Sequence, residues 1–282
     1  MLKLLIILLI LISPTHIYSN TITFEPYAQV VSRLRAWQRE YPKVVTVEPF
    51  GKCVDRQDIY CLALGDKSIR PKHRVLIMAA IHGNEPLAAL VVLNTIQTIL
   101  DHQDEFYVRE MLSKREVYFV PIVCPSTYGR AREIYRADPN RNFEYEPSLA
   151  PVESIKRFGR QLKFDAVLSG HTFGRVYLYP WGYTREVTPH DKQYKSLLGT
   201  MSRLSGYSTK QSCYAYPQCI RGTEGDFFYR LGACSVIMEF GLMRSHDTIP
   251  SKQDISEEFR RTYWAIIYFI KQGPVALQGD VK

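Results

Sequence analysis

The sequence predicts an α/β fold: a single-domain sandwich whose central mixed, twisted sheet is covered by helices on both faces. Three observations carry that expectation. Strand-like apolar runs alternate with helix-like ones, the alternation opens on a hairpin pattern, and no Gly/Ser linker, repeat or low-complexity segment divides the chain. A length of 282 residues is enough for one substantial core.

Taken in order, residues 1–19 read as a secretory signal peptide. Lys3 gives a minimal positive start, 4–12 is a nine-residue apolar core and Ser19 offers a small residue for cleavage. That core is too short to span a bilayer, although an uncleaved amphiphilic anchor is the alternative reading. No cysteine follows the cut to carry a lipid, so residues 20–282 are expected as a secreted or periplasmic domain without stable membrane insertion. Tyr27, Val30, Val31, Leu34, Trp37 and Tyr41 recur at helical spacing and mark an amphipathic helix on the core. The runs 44–49 and 59–64 form the hairpin, and 75–80 and 117–123 read as central strands. Between them a helix begins near Asn84, with Pro86 in its first turn, and runs on to Leu100. The run 164–170 is a further buried strand, and 155–162 and 255–270 are covering helices.

The net charge of +8 suits an acidic partner. Nucleic acid is excluded, because the basic residues are scattered and no recognition motif accompanies them. An anionic cell-wall peptide fits the charge, while a generally basic soluble surface is its commoner explanation. Six cysteines fit an oxidising compartment. Proximity favours the pairs Cys53–Cys61 and Cys213–Cys219, whereas Cys124 and Cys234 lie in apolar runs and read as buried thiols.

Chemistry concentrates at His82-Gly83-Asn84-Glu85 and the distant His171. His-x-x-Glu plus a second His supplies three ligands for a catalytic Zn²⁺ and leaves the fourth tetrahedral position open for water, which points to hydrolysis. Taken alone, such a motif arises often by chance and a single His at a strand end is usually a hydrogen-bonded surface residue. The surroundings add weight. Glu239 interrupts the apolar strand pattern 236–241, and a carboxylate there is expensive unless it has a partner or a job, so it reads as a general base. Arg141 has the planar fork that grips a carboxylate in two places, and Asn140 adds a further bond. The plain alternative for Arg141 is a structural ion pair.

At these residues the chain resembles the zinc carboxypeptidases of the carboxypeptidase A type. His82-Gly83-Asn84-Glu85, Asn140-Arg141-Asn142, His171 and Glu239 stand in that family's order. Leu178-Tyr179-Pro180-Trp181-Gly182-Tyr183 is similar to its segment after the last zinc ligand, and Gly222-Thr223-Glu224-Gly225-Asp226-Phe227 to its helix start, with Phe227 in place of the common Trp. The resemblance covers about 25–271.

It implies one Zn²⁺ per chain on His82, Glu85 and His171, with Glu239 as general base for a metal-activated water. Asn140 and Arg141 would hold the free C-terminal carboxylate of a peptide, so that the last peptide bond is cut. An arginine stabilising the oxyanion is implied before Asn140: Arg132 is chosen over Arg130 and Arg136 because 129–132 resembles its place in short bacterial relatives. A tyrosine closing over substrate is implied at Tyr216, with Tyr214 as runner-up and a packing aromatic as the plain alternative, and the Cys213–Cys219 pair would stiffen its loop. Gly225 lies near the base of the side-chain pocket and selects no charge. Glu224 would favour a basic or diaminopimelate side chain if turned inward, though a Glu at a helix start more commonly faces out. The expected protein is a monomeric metallocarboxypeptidase needing no proteolytic activation, acting on peptide or muropeptide. The alternatives are a murein peptidase or amidase acting on γ-D-glutamyl-diaminopimelate stem peptides, and a non-catalytic peptide-binding relative.

Overall fold

The structure, a computed structural model, describes residues 21–66, 68–69, 73–130, 137–242 and 249–278. The signal sequence and Arg132 and Arg136 lie outside the described residues.

Helix α1 (Tyr27–Glu40) precedes a hairpin of β1 (Val45–Lys52) and β2 (Asp58–Leu64). There follow β3 (His73–Ala79), α2 (Pro86–Asp101), α3 (Phe106–Lys114), β4 (Arg115–Val120), α4 (Ala150–Leu162), β5 (Ala166–Thr172) and β6 (Val176–Tyr179). The chain continues through α5 (Asp191–Ser205), β7 (Ser208–Gln211), α6 (Glu224–Arg230), β8 (Cys234–Phe240) and α7 (Lys252–Ala276). The strands form one eight-stranded sheet in the order β1-β2-β4-β3-β5-β8-β6-β7. Its four central strands, β4, β3, β5 and β8, are mutually parallel, and β2 and β6 join them antiparallel. The mixed sheet is thus as expected.

Side chains alternate across the sheet because the strand period is two. On β3, Val75, Ile77 and Ala79 enter the core that holds α1, α2, α5 and α7, whereas Leu76 and Met78 enter a second core with Val152 and Ile155 of α4 and Phe228 of α6. Both faces are therefore covered by helices. Helix α2 is buried nearly all round, which explains its weak polar face. The long α7 starts at a capping box, in which Ser251 accepts from the Asp254 N–H and the Asp254 carboxylate accepts from that of Ser251. Helices α3 and α5 and the short strand β7 carry weak periodic signals and were not expected.

The Cys213–Cys219 disulfide is present. The expected Cys53–Cys61 bridge is not: both are buried thiols, as are Cys124 and Cys234. Hairpin register is the reason. Cys61 pairs with Glu48, whereas Cys53 lies beyond the Lys52–Asp58 rung at the turn. Cys53 stands opposite Gln57, four residues before Cys61, so at about 3.3 Å per residue the two cysteines lie roughly 13 Å apart along the ribbon, beyond the reach of a disulfide.

Candidate active site

Strand β3 ends at Ala79, and the chain turns through Ala80, whose φ of 49° lies in the left-handed region. A residue with a Cβ holds that conformation only where its surroundings impose it. Here Val123 and Cys124 donate their N–H groups to the carbonyls of Ala79 and Ala80, each at 3.0 Å. His82 to Glu85 complete the turn, and Pro86 opens α2. Gly83 is required, because a Cβ at that position would run into Thr127.

His171 lies near the end of β5, and its register partner on β8 is Glu239. Neighbouring strands in a sheet run about 4.8 Å apart, so the sheet itself sets these two side by side. His82 Nδ1 lies 3.0 Å from Glu85 Oε1, and His171 Nδ1 lies 3.1 Å from Glu85 Oε2. The Thr172 N–H also donates to Glu85 Oε2, at 3.2 Å. One donor atom from each of His82, Glu85 and His171 falls within 4.8 Å of the others, and all three side chains are buried. The remaining ring nitrogens are engaged too: His82 Nε2 is 2.8 Å from Asp138 Oδ1, and His171 Nε2 is 2.7 Å from Glu224 Oε1.

Each imidazole therefore faces a carboxylate at both nitrogens. Burial pulls the pKa of both rings down, but Glu85 and Asp138 on one, and Glu224 and Glu85 on the other, outweigh it and hold both above the ordinary value. Burial likewise pushes the Glu85 carboxyl up, and His82 and His171 reverse this, leaving it well below the usual carboxylate range. A divalent cation among the two Nδ1 atoms and Glu85 would replace two protons and relieve the same imbalance. Two imidazoles and a carboxylate are a donor set that zinc takes, so these residues fit the ion. Glu239, only 8 % exposed, is pushed up to about 7, chiefly by burial, with Glu85 and Glu224 adding to the rise and the two histidines opposing it.

Across the site, the single turn Pro139–Arg141 is capped by Asp138, whose Oδ1 accepts from the Asn140 N–H at 2.9 Å. Asn140 is buried, and its Oδ1 accepts from the Glu224 N–H at 3.0 Å. Arg141 donates to the Asn140 carbonyl at 2.8 Å, and its guanidinium sits 5.8 Å from the ring centroid of Tyr216. Tyr216 follows the short helical turn Ser212–Ala215, inside the loop closed by the Cys213–Cys219 bridge. Burial raises its phenol, and Glu239, Arg141, Glu224 and Glu85 all act on it. Tyr214 is more than half exposed and donates to the Arg185 carbonyl at 3.4 Å, away from this group. Of the proposed site residues, His82, Glu85, His171, Glu239, Asn140, Arg141 and Tyr216 thus share one region.

A family model described as zinc carboxypeptidase matches residues 30–265. The chain belongs to the zinc carboxypeptidase family. It is 22 % identical over 244 residues to a zinc carboxypeptidase of Saccharothrix mutabilis subsp. capreolus, covering 68 % of this chain and 56 % of that one. It is 23 % identical over 207 residues to human carboxypeptidase O, covering 60 % and 55 %. The chain thus spans just over half the length of these curated relatives. Its fold is that of carboxypeptidase A from Helicoverpa armigera, with a TM-score of 0.77 at 16 % identity, covering 91 % of this chain and 75 % of that one.

Two residues of this zinc carboxypeptidase family member escaped sequence reading. Asp138 was visible only as part of a loop motif, and no spacing ties it to His82. For Glu224 both orientations stood open, the outward one being commoner at a helix start; it is turned inward, fully buried and bonded to His171. The reason is its backbone, which Asn140 holds beneath the site through the Glu224 N–H.

Proposed function

We propose that this protein is a zinc-dependent metallocarboxypeptidase that removes the C-terminal residue of peptides. One observation carries the reading: a three-ligand metal set, a buried carboxylate beside it and a carboxylate-gripping arginine stand in one region. When bound, zinc supplies Lewis-acid polarisation of the scissile carbonyl and a lowered pKa for water. His82, Glu85 and His171 hold the ion. Arg141 and the Asn140 amide hold the peptide's terminal carboxylate, and Tyr216, resting against the Arg141 guanidinium, packs over the terminal residue. Glu239 accepts the proton from water and returns it to the leaving amine, a role its raised pKa suits near neutral pH. Arg132 is the proposed oxyanion donor, on resemblance.

The intact Glu239 beside His171 argues against a binding-only relative. Export is proposed from the signal-like 1–19 segment and supported by the Cys213–Cys219 bridge, and among the described residues no helix is long and apolar enough to cross a membrane. The test is incubation with a peptide mixture, with and without a chelator, read by mass spectrometry. Stepwise C-terminal shortening that chelation abolishes is expected. Cleavage of muropeptides alone would replace this reading with a murein peptidase, and no cleavage despite bound zinc would replace it with a binding protein.

A further inference from the structure

We infer that Glu224 is a positioning residue that sets zinc affinity through His171, a role that rests on the zinc reading above. Glu224 is the first residue of α6, where Thr223 caps the helix by accepting from the Asp226 N–H. A Glu in a first turn ordinarily meets the helix dipole from solvent. This one is 0 % exposed and pinned at both ends: its N–H donates to Asn140 Oδ1 at 3.0 Å, and its Oε1 accepts from His171 Nε2 at 2.7 Å.

Its second oxygen has no hydrogen-bond partner among the described residues and is shielded from solvent. A carboxyl group with a buried, unpartnered oxygen is costly to enclose, and a structural role for α6 does not require one there. What offsets the cost must come through the imidazole. Three carboxylates, Glu85, Asp138 and Glu224, surround two imidazoles at this centre. With a divalent ion held by His82, Glu85 and His171, each ring would keep its one proton on Nε2 and donate it outward, His82 to Asp138 and His171 to Glu224. The outer carboxylate fixes the tautomer, aims the ring and raises the basicity of the ligating nitrogen. Asp138 does this from a partly exposed loop. Glu224 does it with no competing water, so the second arm depends on its charge as well as on its shape.

The test measures zinc dissociation constants by chelator competition for wild type, Glu224→Gln and Glu224→Ala, together with the visible spectrum of each protein loaded with Co²⁺. Glu224→Ala is expected to weaken zinc about 10–100-fold, the usual cost of losing such a partner. Glu224→Gln, which keeps an acceptor but no charge, should fall between that and wild type, and both should shift the Co²⁺ bands. If Glu224→Ala does not fold, the isosteric Gln variant carries the test by itself, with the metal-free unfolding midpoint as its fold control. Zinc affinity within twofold of wild type in the folded variants, with unshifted Co²⁺ bands, would overturn the inference alone. So would a loss of kcat/KM confined to peptides ending in Lys or Arg with affinity unchanged, since Glu224 would then be a substrate-binding group. A wild-type protein that takes up no zinc would overturn the zinc reading and this inference together.

Discussion

The two histidine arms of the site reach the same point by different constructions. His82 stands on a turn three residues from Glu85, and its outer partner Asp138 lies in a loop with a 27 % exposed side chain. His171 stands on a central strand, between β3 and β8, and its outer partner is wholly enclosed. In the first arm His82 and Glu85 share one turn and only the outer partner Asp138 reaches water; the second is assembled by the sheet and sealed. Water can stand in for a carboxylate at the first arm more readily than at the second, so equal chemistry should have unequal consequences.

The largest effect is expected from the ligands themselves. His82→Ala and His171→Ala should each lower zinc content well below one ion per chain by elemental analysis, with activity lost in step; full occupancy in either variant would break the ligand assignment. Next comes Glu239→Gln, which should keep the metal and reduce kcat by about 10²–10⁴-fold, the range for a lost general base. Near-wild-type turnover would remove Glu239 from the chemistry.

The same residue sets the pH dependence. As the proposed general base, Glu239 must be deprotonated to act, so kcat/KM should rise with pH through its titration. Burial raises the group from 4.5 to about 7, and a bound zinc ion would pull it back, so the acid limb is expected between those values. The limb should be absent from the residual activity of Glu239→Gln, and its survival there would assign it to another group.

Arg141→Ala should cost about 1.5–3 kcal/mol of substrate binding, the worth of a hydrogen bond to a charged group, read mainly as a raised KM. C-terminally amidated peptides should lose at least as much on the wild-type protein and less on the variant, where Asn140 alone is left to meet the carboxylate. The smallest effect sharpens the comparison itself: Asp138→Asn should weaken zinc less than Glu224→Gln does, because solvent reaches Asp138. A larger loss at Asp138 would show that exposure does not set the difference between the arms.

Much of the fold was legible because the signals are local. The period-2 run of β3, the helical spacing of α1 and the Pro86 start of α2 each need only a few neighbouring residues. The cluster of His82, Glu85 and His171 was legible for the same reason, His-x-x-Glu being a turn motif and His171 the end of an apolar run. Glu224 was not, because what turns it inward is a hydrogen bond from its backbone to Asn140, 84 residues away. The Cys53–Cys61 pairing failed on similar grounds: nearness in sequence says nothing of the ladder that separates them. Helix α5 stayed hidden because its buried face, Tyr194, Leu197, Leu198 and Met201, is narrow among polar residues.

The pairing of His171 with Glu239 across β5 and β8 has a further implication. Their separation is a lattice constant of the sheet, set by backbone spacing rather than by loop conformation. Sliding β8 by a single residue would send the Glu239 carboxylate to the opposite face, among the aliphatic side chains packed there. Loops at the rim are free to vary in length and composition, but this rung admits no gradual adjustment, so insertions within either strand should abolish function outright rather than diminish it.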